Sequence, residues 1–172
     1  MKKITIILLM IVLLVTTIYS QHTVEEFYVY DGENIFYLQM LASEMYRILG
    51  APIEDIKIIR EHFHRPNYFI IRYPGIEFIY FDFSHRPGLE PEIVVITFRE
   101  PYQISNLNVI GRNKDEILKY FGEPNTINTQ DGYIYIYYNF RLEMPNHLVL
   151  QFRFNAMRIC VEVSVIHSHF YI

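Results

Sequence analysis

The chain has 172 residues, with 15 Lys and Arg against 19 Asp and Glu and a formal net charge of −4. That acidic balance argues against nucleic acid, whose binding needs a basic footprint, and no Lys/Arg cluster suits an anionic membrane surface. The single cysteine, Cys160, rules out an internal disulfide, so packing alone must hold the fold.

Met1-Lys2-Lys3 is a short basic start, and Ile4 to Ile18 is apolar apart from Thr5, Thr16 and Thr17. Small Ser20 follows at the exit. A basic start, an apolar stretch and a small exit residue are the parts of a cleavable secretory signal over residues 1–20. The run is shorter than the roughly 20 residues a spanning helix needs. The expected mature chain is therefore periplasmic or secreted, has no membrane span, and carries no cysteine near the cut for a lipid. Its length suits one ordinary domain.

Two segments share one layout: Tyr46-Arg47-Ile48-Leu49-Gly50-Ala51-Pro52 and Leu118-Lys119-Tyr120-Phe121-Gly122-Glu123-Pro124. Met45, Ile48 and Leu49 in the first, and Ile117, Tyr120 and Phe121 in the second, fall at i, i+3, i+4 on one helix face. Gly50 and Gly122 can take the left-handed conformation that ends a helix, and Pro52 and Pro124 cannot continue one. Asn113 with Glu116 resembles a capping box at the second helix start.

Strands follow each helix. After Pro52, the stretch Ile53 to His64 fits either a helix or an extended excursion. Tyr68 to Tyr73 reads as a strand, Pro74-Gly75 as a turn, Ile76 to Phe83 as a second strand and Ile93 to Phe98 as a third. Ser84 to Pro91 is a loop and Pro101 to Ser105 a link. Further on, Tyr133, Tyr135 and Tyr137 alternate with Ile134, Ile136 and Tyr138. Leu148, Leu150, Phe152 and Phe154 share a face. Ile159, Val161, Val163 and Val165 are expected to share another, with Arg158, Cys160, Glu162 and Ser164 opposite. The fold class expected is α+β: two tandem units, residues 21–100 and 101–172, each a short helix followed by an antiparallel sheet, the two sheets side by side in one compact globular unit with the helices packed on one sheet face.

The stretch Val109-Ile110-Gly111-Arg112-Asn113 through Phe121-Gly122-Glu123-Pro124 resembles the opening motif of small envelope domains of the beta-lactamase-inhibitor-protein-like and BamE (SmpA/OmlA) type. The resemblance spans roughly residues 35 to 166; Gln39 stands in the first segment where Gly111 stands in the second, and Leu41-Ala42-Ser43 lacks a good cap. It implies protein binding outside the cytoplasm without catalysis. No contact residue carries over, because the shared motif is scaffold.

The residues themselves offer several chemistries. His62 and His64, and His167 and His169, are i, i+2 pairs that on a strand would share a face and could hold zinc with further ligands; His85 and His147 stand alone. The opposing reading is surface and loop histidines. Glu61, Glu77 and Asp82 could serve as acid and base only if brought within a few ångströms; otherwise they are solvated strand charges. Cys160 reads as a small half-buried side chain. No nucleophile elbow, phosphate loop or dinucleotide fingerprint is present, and no cofactor is implied.

Tyr133, Tyr135 and Tyr137 line one side of a strand, with Tyr80 as a possible extension and Arg153 and Arg158 on strands nearby. Tyr and Arg are enriched in binding hot spots. The opposite phase would bury these tyrosines, but Ile134 and Ile136 are the better core candidates. The expected function is thus a non-enzymatic protein-binding module with a partner in the envelope or outside the cell. It would use Tyr133, Tyr135, Tyr137 and Arg153 on a sheet face left open by the helices. The rival readings are an envelope metal-binding or hydrolytic protein built on the histidine pairs, and a carrier of a small apolar ligand.

Overall fold

The structure, a computed structural model, describes residues 27–59, 67–82, 88–141 and 147–167. The expected signal, residues 1–20, lies outside the described residues, as do Glu61, His62, His64, His85 and His169. The described residues form eleven strands and two helices in chain order: β1 (Val29–Tyr30), β2 (Ile35–Phe36), α1 (Ala42–Leu49), β3 (Glu54–Ile58), β4 (Tyr68–Tyr73), β5 (Ile76–Phe81), β6 (Ile93–Phe98), β7 (Gln103–Ile104), α2 (Lys114–Phe121), β8 (Thr126–Gln130), β9 (Tyr133–Arg141), β10 (His147–Phe154) and β11 (Cys160–His167). Among the described residues no helix is long and apolar enough to cross a membrane.

The expected α+β fold of two tandem helix-plus-sheet units is overturned. Among the described residues strand takes 51% and helix 14%, and one antiparallel sheet of eight strands runs β3-β4-β5-β6-β11-β10-β9-β8. The strands of both stretches join in this sheet at its centre, where β6 pairs with β11 from Val163↔Phe98 to Ile166↔Val95. Both strands are apolar and buried along most of their length, so neither can serve as a solvated edge. A second small sheet, ordered β2-β1-β7, joins Val29 to Phe36 and Ile104. The expected link Pro101 to Ser105 therefore contains a strand.

Period-two alternation gives the large sheet one apolar face. Tyr73, Ile76, Phe98, Val163, Phe152 and Ile136 stand side by side across successive strands, all buried. Met45 of α1 and Ile117 of α2 are buried in the same core, and Ile48, Leu49, Leu118 and Phe121 pack against it. Tyr120, expected inward, is 65% exposed. Leu118 takes the inward position beside Ile117 and Phe121, which leaves Tyr120 on the outer side of this two-turn helix.

Local chemistry explains the helix ends. Asn113 accepts from the Glu116 amide at 3.0 Å, capping α2. α1 has no side-chain cap at Leu41; the Ala42 amide instead donates to the Pro91 carbonyl at 2.9 Å. Gly50 (φ 72°) and Gly122 (φ 80°) close the two helices. Each glycine carbonyl accepts a tyrosine hydroxyl from the sheet, Tyr73 at 2.8 Å and Tyr138 at 2.9 Å.

The undecided stretch after Pro52 contains the edge strand β3. The expected alternation in β11 is broken: Phe154 pairs with Cys160, but Arg153 pairs with Glu162. Val161 is the extra residue of a bulge, which turns Cys160 into the core rather than to the opposite face.

Candidate functional site

The two described helices cover one face of the sheet, and the other, on which no described helix packs, carries a polar row. Glu54, Arg72, Glu77, Thr97, Ser164, Gln151, Tyr137 and Thr126 stand side by side, one from each of the eight strands. Next to this row Glu162, Arg153, Tyr135 and Asn128 form a second, and Gln130 pairs with Tyr133 beyond it. The other side of the polar row is apolar, with Phe81, Val94, Val95 and Ile166 buried and Tyr68, Ile79 and Val149 packed on them.

Tyr133, Tyr135, Tyr137 and Arg153 therefore come together on the face that no described helix covers. Arg153 lies directly across from Tyr135 in the ladder, and its guanidinium sits 4.9 Å from the centroid of the Tyr133 ring. Tyr133 is 37% exposed; Tyr135, Tyr137 and Arg153 are half-buried. Burial pushes the Tyr137 phenol above its ordinary value and Tyr135 adds to the shift, while a hydrogen bond with the Asn128 side chain pulls it down. Tyr80 does not extend this patch. It is buried on the core side, stacked on Phe69 at 5.1 Å, with its hydroxyl 3.4 Å from that of Tyr46. Arg158 is exposed in the turn before β11, outside the ladder.

Beside the aromatic stripe lies a groove of about 480 Å³. Its walls include Arg72, Glu77, Thr97, Arg99, Arg153, Glu162 and Ser164, next to the turn at Gly75. Glu162 is buried and holds two guanidiniums: Arg99 Nε donates to Oε2 at 2.9 Å, and Arg153 Nη1 lies 3.1 Å from Oε1. The Thr97 and Ser164 hydroxyls meet at 2.9 Å. Arg72 bridges two carboxylates, Glu77 at 2.6 Å and Glu54 at 2.5 Å. These walls suit polar chemistry rather than an apolar guest.

Sequence reasoning missed Glu162, Arg99, Arg72, Thr97 and Ser164. Their signal was present: Arg72 and Thr97 are the polar positions of the apolar runs Tyr68–Tyr73 and Ile93–Phe98, and Glu162 and Ser164 interrupt β11 at i, i+2. Cross-strand registers were needed to see that these positions meet.

Among the described residues, the remaining candidates are held in other contacts. Glu77 is tied to Arg72, and Asp82 is buried with Lys57 Nζ at 2.7 Å. His147 is exposed on β10 while His167 is buried on β11. Among the described residues no three His, Cys, Asp or Glu side chains converge as a metal site would require. Burial pushes the Cys160 thiol up to about 12. No protein-family model, no curated protein and no solved structure matches this chain.

Proposed function

We propose that the protein is an exported, non-enzymatic protein-binding module that works through the helix-free face of its sheet. One observation carries the reading: Tyr133, Tyr135, Tyr137 and Arg153 share that face, with Arg153 stacked over Tyr133 at 4.9 Å. Tyrosines held by a ladder offer large contact area with little conformational freedom left to lose. A guanidinium stacked on a ring is held ready for a partner in the same way. The basic start and apolar run of residues 1–20 support export. The resemblance of Val109 to Pro124 to envelope protein-binding domains supports the same reading. The partner is a protein of the envelope or the extracellular space.

The test is a cross-linked pull-down from envelope extract with tagged protein beside a Tyr133→Ala/Tyr135→Ala/Tyr137→Ala variant of native circular dichroism. A partner captured by the wild type and lost in the variant supports the reading. Equal capture by both, or none by either, removes the aromatic face as the working surface.

A further inference from the structure

We infer that the groove beside the aromatic stripe is a carboxylate-binding subsite, which takes an acidic side chain or a C-terminal carboxylate of the bound polypeptide. This rests on the protein-binding reading above and names the chemistry of one contact within it.

The argument begins with charge. The groove walls hold three guanidiniums, Arg72, Arg99 and Arg153, against two carboxylates, Glu77 and Glu162. The charges are not spread evenly. Arg72 is shared between Glu77 and Glu54, so that side has no positive charge to offer. At the other side two guanidiniums converge on the single carboxylate of Glu162, which leaves a surplus of one positive charge there.

Hydrogen-bonding capacity points the same way. A guanidinium carries five N–H donors. Arg153 Nε is buried and has no hydrogen-bond partner, and Arg99 is 61% exposed in its side chain. The donors are held in place before a ligand arrives, Arg153 by Glu162 and the Tyr133 ring, and Arg99 by Glu162. Thr97 and Ser164 add hydroxyls on the groove wall. A planar anion suits this fork of guanidinium donors.

The surplus also selects among anions. One positive charge matches one carboxylate. A phosphate carries roughly −1.5 to −2 at neutral pH, and the fixed carboxylates of Glu162 and Glu77 would repel the excess.

The experiment follows the arginine Nε–H resonances of the isotopically labelled protein by NMR. The probes are N-acetyl-glycylglycine, its C-terminal amide and inorganic phosphate. The carboxylate probe is expected to move the Arg99 and Arg153 signals with saturation, the amide to leave them still, and phosphate to bind more weakly. Arg99→Gln should weaken the carboxylate probe about tenfold. The inference is overturned by equal shifts from the amide, by phosphate binding as tightly as the carboxylate, by undiminished binding in Arg99→Gln, or by the absence of any saturable shift. If the tyrosine-dependent pull-down succeeds and the carboxylate probe is silent, the subsite alone falls; if the pull-down fails, the protein-binding reading falls with it.

Discussion

Arg153 lies between a ring and a buried acid: its guanidinium is 4.9 Å from the Tyr133 centroid, and its Nη1 is 3.1 Å from Glu162 Oε1. The second contact binds β10 to β11 on the face where no described helix packs. Arg153→Met should therefore destabilise the fold by about 1–3 kcal/mol, because Glu162 keeps its burial and loses one of two cations. Adding Glu162→Gln should return part of that loss, so the double variant costs less than the two single changes together. Urea unfolding midpoints measure all three. Strict additivity would show that the pair is not coupled.

Cys160 tests the bulge at Val161. The register turns this thiol into the core, where it is 1% exposed, and burial pushes it up to about 12. Reaction with a thiol-selective alkylator at pH 8 should be negligible for the native protein and complete in denaturant, since the thiolate is the reactive form. Rapid labelling without denaturant would mean that Cys160 faces outward, as unbroken alternation requires.

Much of this local structure was legible in the chain. β4 and β6 fall on the strands read from their apolar runs, Tyr68–Tyr73 and Ile93–Phe98, because β-branched and aromatic residues between turn signals mark strands strongly. The helix stops at Gly50 and Gly122 were legible for a similar reason. β8 was missed because Thr126–Gln130 is polar and wholly exposed, with no alternation to read. Its signal was the turn behind it, where Asp131 and Gly132 both take positive φ, 51° and 78°, as a two-residue hairpin requires. The strand order of the sheet was not legible, since the β6–β11 pairing joins residues far apart in sequence and periodicity carries no information on partners. The tyrosine stripe could be read from alternation alone. The Arg99–Glu162–Arg153 cluster could not, because it depends on that same pairing and on a bulge.

Tyr73 and Tyr138 predict alkaline sensitivity. Burial pushes both phenols up to about 12, helped by Tyr46 and Asp55 at Tyr73 and by Glu123 at Tyr138. The folded state thus holds these protons more tightly than the unfolded chain, whose phenols titrate near 10. Their contribution is complete below pH 10 and is lost as pH rises from there toward 12. Tyr73→Phe and Tyr138→Phe should each cost about 1 kcal/mol at neutral pH, by leaving the Gly50 or Gly122 carbonyl without its hydroxyl donor. Each should also flatten the decline in thermal midpoint between pH 10 and pH 12. An unchanged slope in both variants would assign the alkaline loss to other groups.

Two glycines with nearly the same φ separate strain from crowding. Gly75 closes the β4–β5 turn after Pro74 with φ 76°, and Gly132 closes the β8–β9 turn with φ 78°. A Cβ on Gly132 would meet nothing within 4 Å, but one on Gly75 would come 2.7 Å from the Glu100 carbonyl oxygen and 3.2 Å from the Tyr102 ring. Gly132→Ala should then cost about 1 kcal/mol, the penalty for the left-handed region alone. Gly75→Ala should cost about 2–4 kcal/mol, since backbone must move as well. The Gly75 carbonyl also accepts from the Arg99 amide at 2.7 Å, so the shift should reach the groove and weaken the carboxylate probe, while Gly132→Ala leaves that probe unchanged. Paired unfolding curves and probe titrations measure both effects. Equal costs for the two substitutions would mean that the Gly75 turn is not packed against Glu100 and Tyr102.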